Sequence, residues 1–269
     1  MNTLLVVSFA VSSLGVVACV LFLGWYLNRR FGASWKWWAL GLLVFLVFQG
    51  VLRVPWTIAL PQIEGFREWL KSPNSQWIWI VVLCVSAGIF EETGRWVGYR
   101  FFFKPEDRVW KNALMFGAGH GGVEALVVAL LQFSGAAFYL LLHVVDPAVL
   151  KLPPEKAAEA LTQFAGLKGW EPLLGLWERL GTLVVHVGLS VMVLQFFRRS
   201  RAWLFWAILA HSLTNLTVFA CQLLLKKGGW NVAAMIVPEL AVTVFAIVAF
   251  LVIVRMRDPS PCLGSEQCE

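Results

Sequence analysis

The stretch RVWKNALMFGAGHGGVEALVVALLQF, residues 108–133, decides the fold. Beyond Lys111 its only charged side chain is Glu124, and a run of ~20 mainly apolar residues can cross a bilayer as an α-helix. Six further runs of this kind, each bounded by charged or Trp-rich segments, fall at about residues 3–27, 36–54, 77–103, 173–197, 203–225 and 230–254. Residues 135–149 are also apolar, but they contain His143 and Asp146 and lead into Pro147, so they read as a re-entrant piece or an eighth span. The expected fold is all-α, a polytopic integral membrane bundle of about seven helices. It forms one domain, residues 1–257, with a short polar tail at 258–269.

Composition agrees. Of 269 residues, 59% are apolar and 14% charged, against roughly 25% charged in soluble domains, which excludes a water-soluble globule. The 22 Lys and Arg exceed the 16 Asp and Glu, giving +6. That surplus sits at the ends of apolar runs, where it sets topology and meets anionic headgroups, so no nucleic-acid partner is implied. Alternating the loops places twelve basic residues on one side, among them Arg29, Arg30, Lys104, Lys111, Arg198 and Arg255, with few acids. The nine on the other side mix with Glu64, Glu68, Glu155, Glu159 and Glu171. The amino terminus is therefore expected outside and the carboxyl terminus in the cytoplasm. Most of the 15 tryptophans, including Trp25, Trp35, Trp37 and Trp230, are expected as interfacial anchors. Residues 153–166 begin with prolines, end in glycine and read as a short surface helix. The five cysteines show neither disulfide nor metal spacing, and Cys262 and Cys268 read as idle thiols in the tail.

Several polar residues lie where a membrane helix should have none. An ionisable group at mid-bilayer costs at least ~2.5 kcal/mol on insertion scales, so each needs a partner or a purpose. Glu91, Glu92 and Arg95 lie in the third run, His120 and Glu124 in the fourth, His186 in the fifth, and His211 with Asn215 in the sixth. Counted from the nearest basic residue on the inner side, Glu92, His120, His186 and His211 lie roughly 14–18 Å deep at ~1.5 Å per residue. Four helices thus deliver acids and imidazoles to one layer, with a cavity expected to open toward the inner leaflet. Spacings of three or four put Glu91 or Glu92 on one face with Arg95, His120 with Glu124, His186 with Ser190, and His211 with Asn215. The glycines at 117, 119, 121 and 122 permit close packing, or leave room for a substrate or for local unwinding. His143 reads as part of a polar turn near the outer surface, Arg53 as interfacial, and Glu178-Arg179 as an outer-end ion pair. Glu239, after Pro238, stays outside the candidate set.

Glu91-Glu92-Thr93-Gly94-Arg95, Gly117 to Ala125, Glu178-Arg179 with His186, and His211-Ser212-Leu213-Thr214-Asn215 resemble the YhfC family of intramembrane metalloproteases. That family is similar to the CAAX prenyl proteases and bacteriocin-processing enzymes (CPBP) and to PrsW-type proteases. Arg95 follows Glu92 by three residues where CAAX-type enzymes place it four on, and Glu124 and His186 are closer to the PrsW-type arrangement, so a prenylated substrate is not implied.

The resemblance implies peptide-bond hydrolysis of membrane-protein or membrane-associated peptide substrates, in a bacterial plasma membrane. Glu91 or Glu92 would act as general base or metal-associated carboxylate. His120 and His211 would be metal ligands or water positioners, His186 a third ligand, and Asn215 an oxyanion donor. Arg95 would neutralise and orient the double glutamate, with Glu124 as a further ligand or support. The implied cofactor is a divalent metal, with zinc the expectation and iron, cobalt or nickel also suited to such donors. Two other function classes use similar residues: an ion- or proton-coupled transporter, against which no inverted repeat is visible, and a catalytically silent scaffold.

Overall fold

The computed structural model describes residues 1–258, which are almost wholly helical and contain no strand. Cys262 and Cys268 lie outside the described residues. Seven helical runs are long and apolar enough to cross a membrane. They are α1 (Thr3–Phe31), a composite Trp35–Gln62 run, α5 (Pro73–Phe101), α6 (Trp110–Val144), α8 (Pro172–Arg198), α9 (Ala202–Lys227) and α10 (Asn231–Arg255). The composite run consists of α2 (Trp35–Phe45), a π-helical turn (Leu46–Arg53), α3 (Val54–Ala59) and a short 3-10 turn. Two shorter helices, α4 (Glu64–Trp69) and α7 (Pro154–Ala165), lie in the connections. The chain is a membrane protein of seven spans.

Local chemistry sets the helix ends. Asn2, Ser34 and Ser72 cap α1, α2 and α5 by accepting backbone N–H groups, and Gly32 closes α1 in the left-handed conformation at φ 64°. Within the composite run Pro55 has no N–H to give, and Val54 N–H reaches back five residues to Gln49 O. The widened turn leaves Arg53 buried at 8% exposure, not interfacial as its place beside Pro55 suggested.

Residues 135–149 form neither an eighth span nor a re-entrant piece. The first ten continue α6, which runs unbroken for 35 residues, and the rest form the turn after it. His143 sits in the last turn of α6, its ring bonded to Tyr139 O. The glycines at 117–122 stay helical, so local unwinding does not occur. Their missing side chains let α6 touch two neighbours: a Cβ on Gly119 would run into the Trp38 carbonyl of α2, and one on Gly121 would meet His186 Cβ of α8 at 2.7 Å.

The spans pack around α8, whose apolar window is 61% buried against 17–33% in the others. Helix α8 contacts α1, α6, α9 and α10, while α5 packs on α9. The two ends of the bundle differ. The end holding the loops after α1, α5 and α8 is filled by Trp37, Tyr99, Phe103, Phe116, Met115 and Leu194, with Trp37 stacked on Phe103 at 3.8 Å. Trp37 is thus core rather than an interfacial anchor, whereas Trp25, Trp35 and Trp230 are exposed. The other end, with the amino terminus, α4 and α7, holds a cavity of about 720 Å³.

Candidate active site

The acid and imidazole groups meet at the floor of this cavity. Glu91, Glu92 and Arg95 come from α5, His120 and Glu124 from α6, His186 from α8 and His211 from α9. Glu91, Glu92, Arg95, His120, His186 and His211 are all 5% exposed or less. The spacing of three between Glu92 and Arg95 puts both on one face of α5, where the guanidinium contacts Glu92 Oε1. That oxygen also accepts from His211 Nδ1 at 2.7 Å. Arg95 also bonds His186 Nδ1 at 2.7 Å. A guanidinium only donates, so His186 Nδ1 accepts and its Nε2–H donates to Glu124 Oε2 at 2.7 Å. Arg179 then holds Glu124 Oε1 at 2.7 Å and also contacts Glu178. The chain of contacts from Glu92 to Glu178 fixes both imidazoles and gives Glu92, Glu124 and Glu178 each a positively charged partner.

Glu91 takes no part in that chain. Its Oε2 lies 3.1 Å from His120 Nε2 and 4.0 Å from His186 Nδ1, and its Oε1 lies 3.9 Å from His211 Nε2. Glu91, His120 and His186 each offer a donor atom within 4.8 Å of the others, an arrangement able to hold a metal ion. Imidazole and carboxylate donors suit zinc and neighbouring divalent metals. His120 presents Nε2 to the group while its Nδ1 has no partner, and His186 Nδ1 would exchange the Arg95 contact for the ion. Of the other residues named with the metal ligands on sequence grounds, Glu92 lies behind this group and orients His211, whose Nε2 lies 3.9 Å from Glu91 Oε1 on the cavity side.

The cavity gives access to the site from the amino-terminal end of the bundle. Glu91, Glu124, His186, His211 and Asn215 line it, whereas Glu92, Arg95 and His120 do not. Its walls continue along α9 to Gln222, along α8 back to Glu171 and along α10 back to Ala234, all toward the amino-terminal end. Equal depth from the charges of the loops after α1, α5 and α8 located the layer but not its opening, which faces the amino-terminal end of the bundle rather than those loops. The aromatic core seals that side.

Five charged cavity residues fell outside the sequence reading of the site: Arg53, Glu171, Glu178, Arg179 and Glu239. Arg179 is 7% exposed; it pairs with Glu178 as expected and also joins the site network through Glu124. Its signal was its place two helical turns before His186, which puts both on one face of α8. Arg53 follows Gln49 by four residues and bonds it, a polar face inside an apolar run.

The sequence profile described as YhfC intramembrane metalloprotease matches residues 15–242. Uncharacterized membrane protein YhfC of Bacillus subtilis (strain 168) is 33% identical over 224 residues, covering 77% of this chain and 82% of that protein. No solved structure matches the chain.

Proposed function

The chain belongs to the YhfC intramembrane metalloprotease family, and from that membership we propose that it hydrolyses peptide bonds of membrane-associated proteins at the floor of its cavity. The observation that carries this reading is that Glu91 lines the cavity while lying within 4.0 Å of His120 and His186.

Glu91, His120 and His186 would hold a divalent cation, zinc being the proposed identity. Such a cation polarises a carbonyl and lowers the pKa of an attacking water to ~7. The chain's own residues do the rest. Glu91 takes the water proton at Oε1, the oxygen turned toward His211, and returns it to the departing amine. Glu92 accepts the Nδ1–H of His211, which assigns the tautomer that points the Nε2 lone pair at the reaction site. Arg95 balances Glu92, and Glu124 holds His186 through its Nε2–H. Asn215, one turn beyond His211 and on the cavity wall, donates its carboxamide N–H to the oxyanion that forms as water adds to the carbonyl. The aromatic core beneath the floor keeps bulk water from the opposite end out. On the orientation favoured by the basic loops, the substrate enters from the extracytoplasmic half of the membrane.

The test compares protein termini, by mass spectrometry, in membranes of cells producing the wild type or Glu91→Gln. New termini inside or beside membrane-spanning segments are expected with the wild type only. Identical termini in both would remove the protease reading.

A further inference from the structure

Three arginines are buried, Arg53, Arg95 and Arg179, and all three lie near the cavity floor or walls. Two are neutralised. Arg95 contacts Glu92, and Arg179 contacts Glu124 and Glu178. Arg53 has no carboxylate within 4.0 Å among the described residues. All its partners are neutral: Nε donates to Ser86 Oγ at 3.0 Å, one terminal nitrogen to Gln49 Oε1 at 3.1 Å, and the other to Leu83 O at 2.6 Å. These contacts fix the side chain on the cavity wall between the π-helical turn and α5 without balancing its charge.

A guanidinium has five N–H groups, and three are used here. The two that remain belong to different terminal nitrogens, the pair an oxyanion engages through two oxygens. The nearby walls from the π-helical turn, α3 and α5 add Gln49, Thr57, Leu83, Cys84 and Ala87, with no acid before Glu91 at the floor. The acids Glu171, Glu178 and Glu239 stand on α8, its approach and α10. A buried, rigidly held cation facing a cavity, with no counter-charge of its own, is a receptor awaiting one.

We propose that Arg53 binds an oxyanion of the molecule that occupies the cavity, a peptide carboxylate or a lipid phosphate, and so anchors that molecule above Glu91. The inference deepens the protease reading by naming a substrate feature, yet it is measurable by binding alone. Arg53 is then a specificity residue on the substrate side of the cavity and takes no part in the proton transfers.

The experiment uses the full-length protein in phosphatidylcholine nanodiscs. The probes are N-acetyl-Leu-Leu-Phe as the free acid and as the carboxamide, followed by equilibrium dialysis with mass spectrometric readout of intact peptide. The wild type should bind the acid about tenfold more tightly than the amide. Arg53→Gln should erase that preference while keeping amide binding, and Arg53→Lys should keep part of it, with gel filtration confirming the fold of each. Equal binding of acid and amide by the wild type, no binding of the acid, or a preference that survives in Arg53→Gln would overturn the proposal. Adding phosphatidylglycerol to the nanodiscs distinguishes the sources: loss of the acid preference in the wild type identifies a lipid phosphate as the competing occupant, and its persistence identifies the peptide carboxylate. Terminus mapping is a separate readout. Cleavage without an acid preference would sink this inference alone, and an acid preference without cleavage would sink the protease reading alone.

Discussion

At the residue scale, adjacent glutamates with the same chemistry have different surroundings. Glu92 is fully buried behind Arg95 and His211, while Glu91 reaches the cavity. Glu91→Gln should lower cleavage by about 10²–10⁴, the usual contribution of a general base, with the fold unchanged. That is read from the rate of appearance of a mapped terminus. Arg95→Ala should act on stability, because it strands a buried carboxylate, at a cost of about 3–5 kcal/mol. Replacing both partners, as Glu92→Leu with Arg95→Leu, should recover much of that loss in thermal unfolding followed in detergent. A double variant no more stable than Arg95→Ala would show that the pair is not the source of the effect. Which glutamate faces substrate was not legible in the sequence. A one-residue step turns a side chain by about 100° around a helix, and only the packing of α6, α8 and α9 decides which direction is the cavity.

At the scale of elements, seven spans were legible because the bilayer asks every span for the same thing, a long apolar run with its backbone bonds satisfied internally. Less legible was the end of α6. His143, Asp146 and Pro147 suggested a break, yet no proline interrupts the helix before Val144. The π turn at Leu46–Arg53 was equally hidden, since it follows from how Pro55 is accommodated within an otherwise continuous run. The glycines of α6 make a testable contrast. Gly119→Ala forces a Cβ onto the Trp38 carbonyl and should destabilise by about 1–3 kcal/mol, with His120 displaced along with it. Gly135→Ala, which meets nothing within 4 Å, should be neutral or stabilise by up to about 1 kcal/mol. Thermal unfolding of the two variants side by side reads the difference. Similar melting shifts would mean that close packing is not what the glycines supply.

At the scale of the whole molecule, the bundle is closed by aromatic packing at one end and hollow at the other, with the reactive layer between them. Depth counting from loop charges found the layer, because rise per residue is fixed. It could not find the mouth, because that depends on which half of each helix carries bulky side chains against its neighbours. The asymmetry predicts labelling from one side. In a background free of native cysteines, Gln222→Cys should react with a membrane-impermeant maleimide from the same face as a cysteine placed at Asn2. Labelling of Gln222→Cys from the opposite face would contradict the cavity's direction.

The central claim is that Glu91, His120 and His186 form a metal-holding centre. It is tested most directly by metal content of the detergent-purified protein, comparing wild type, His120→Ala and Glu239→Gln at matched gel-filtration profiles after metal has been offered during purification. Near-stoichiometric divalent metal in the wild type and in Glu239→Gln, lost in His120→Ala, is the predicted result. A wild type without metal, or one whose metal survives the loss of His120, would contradict it.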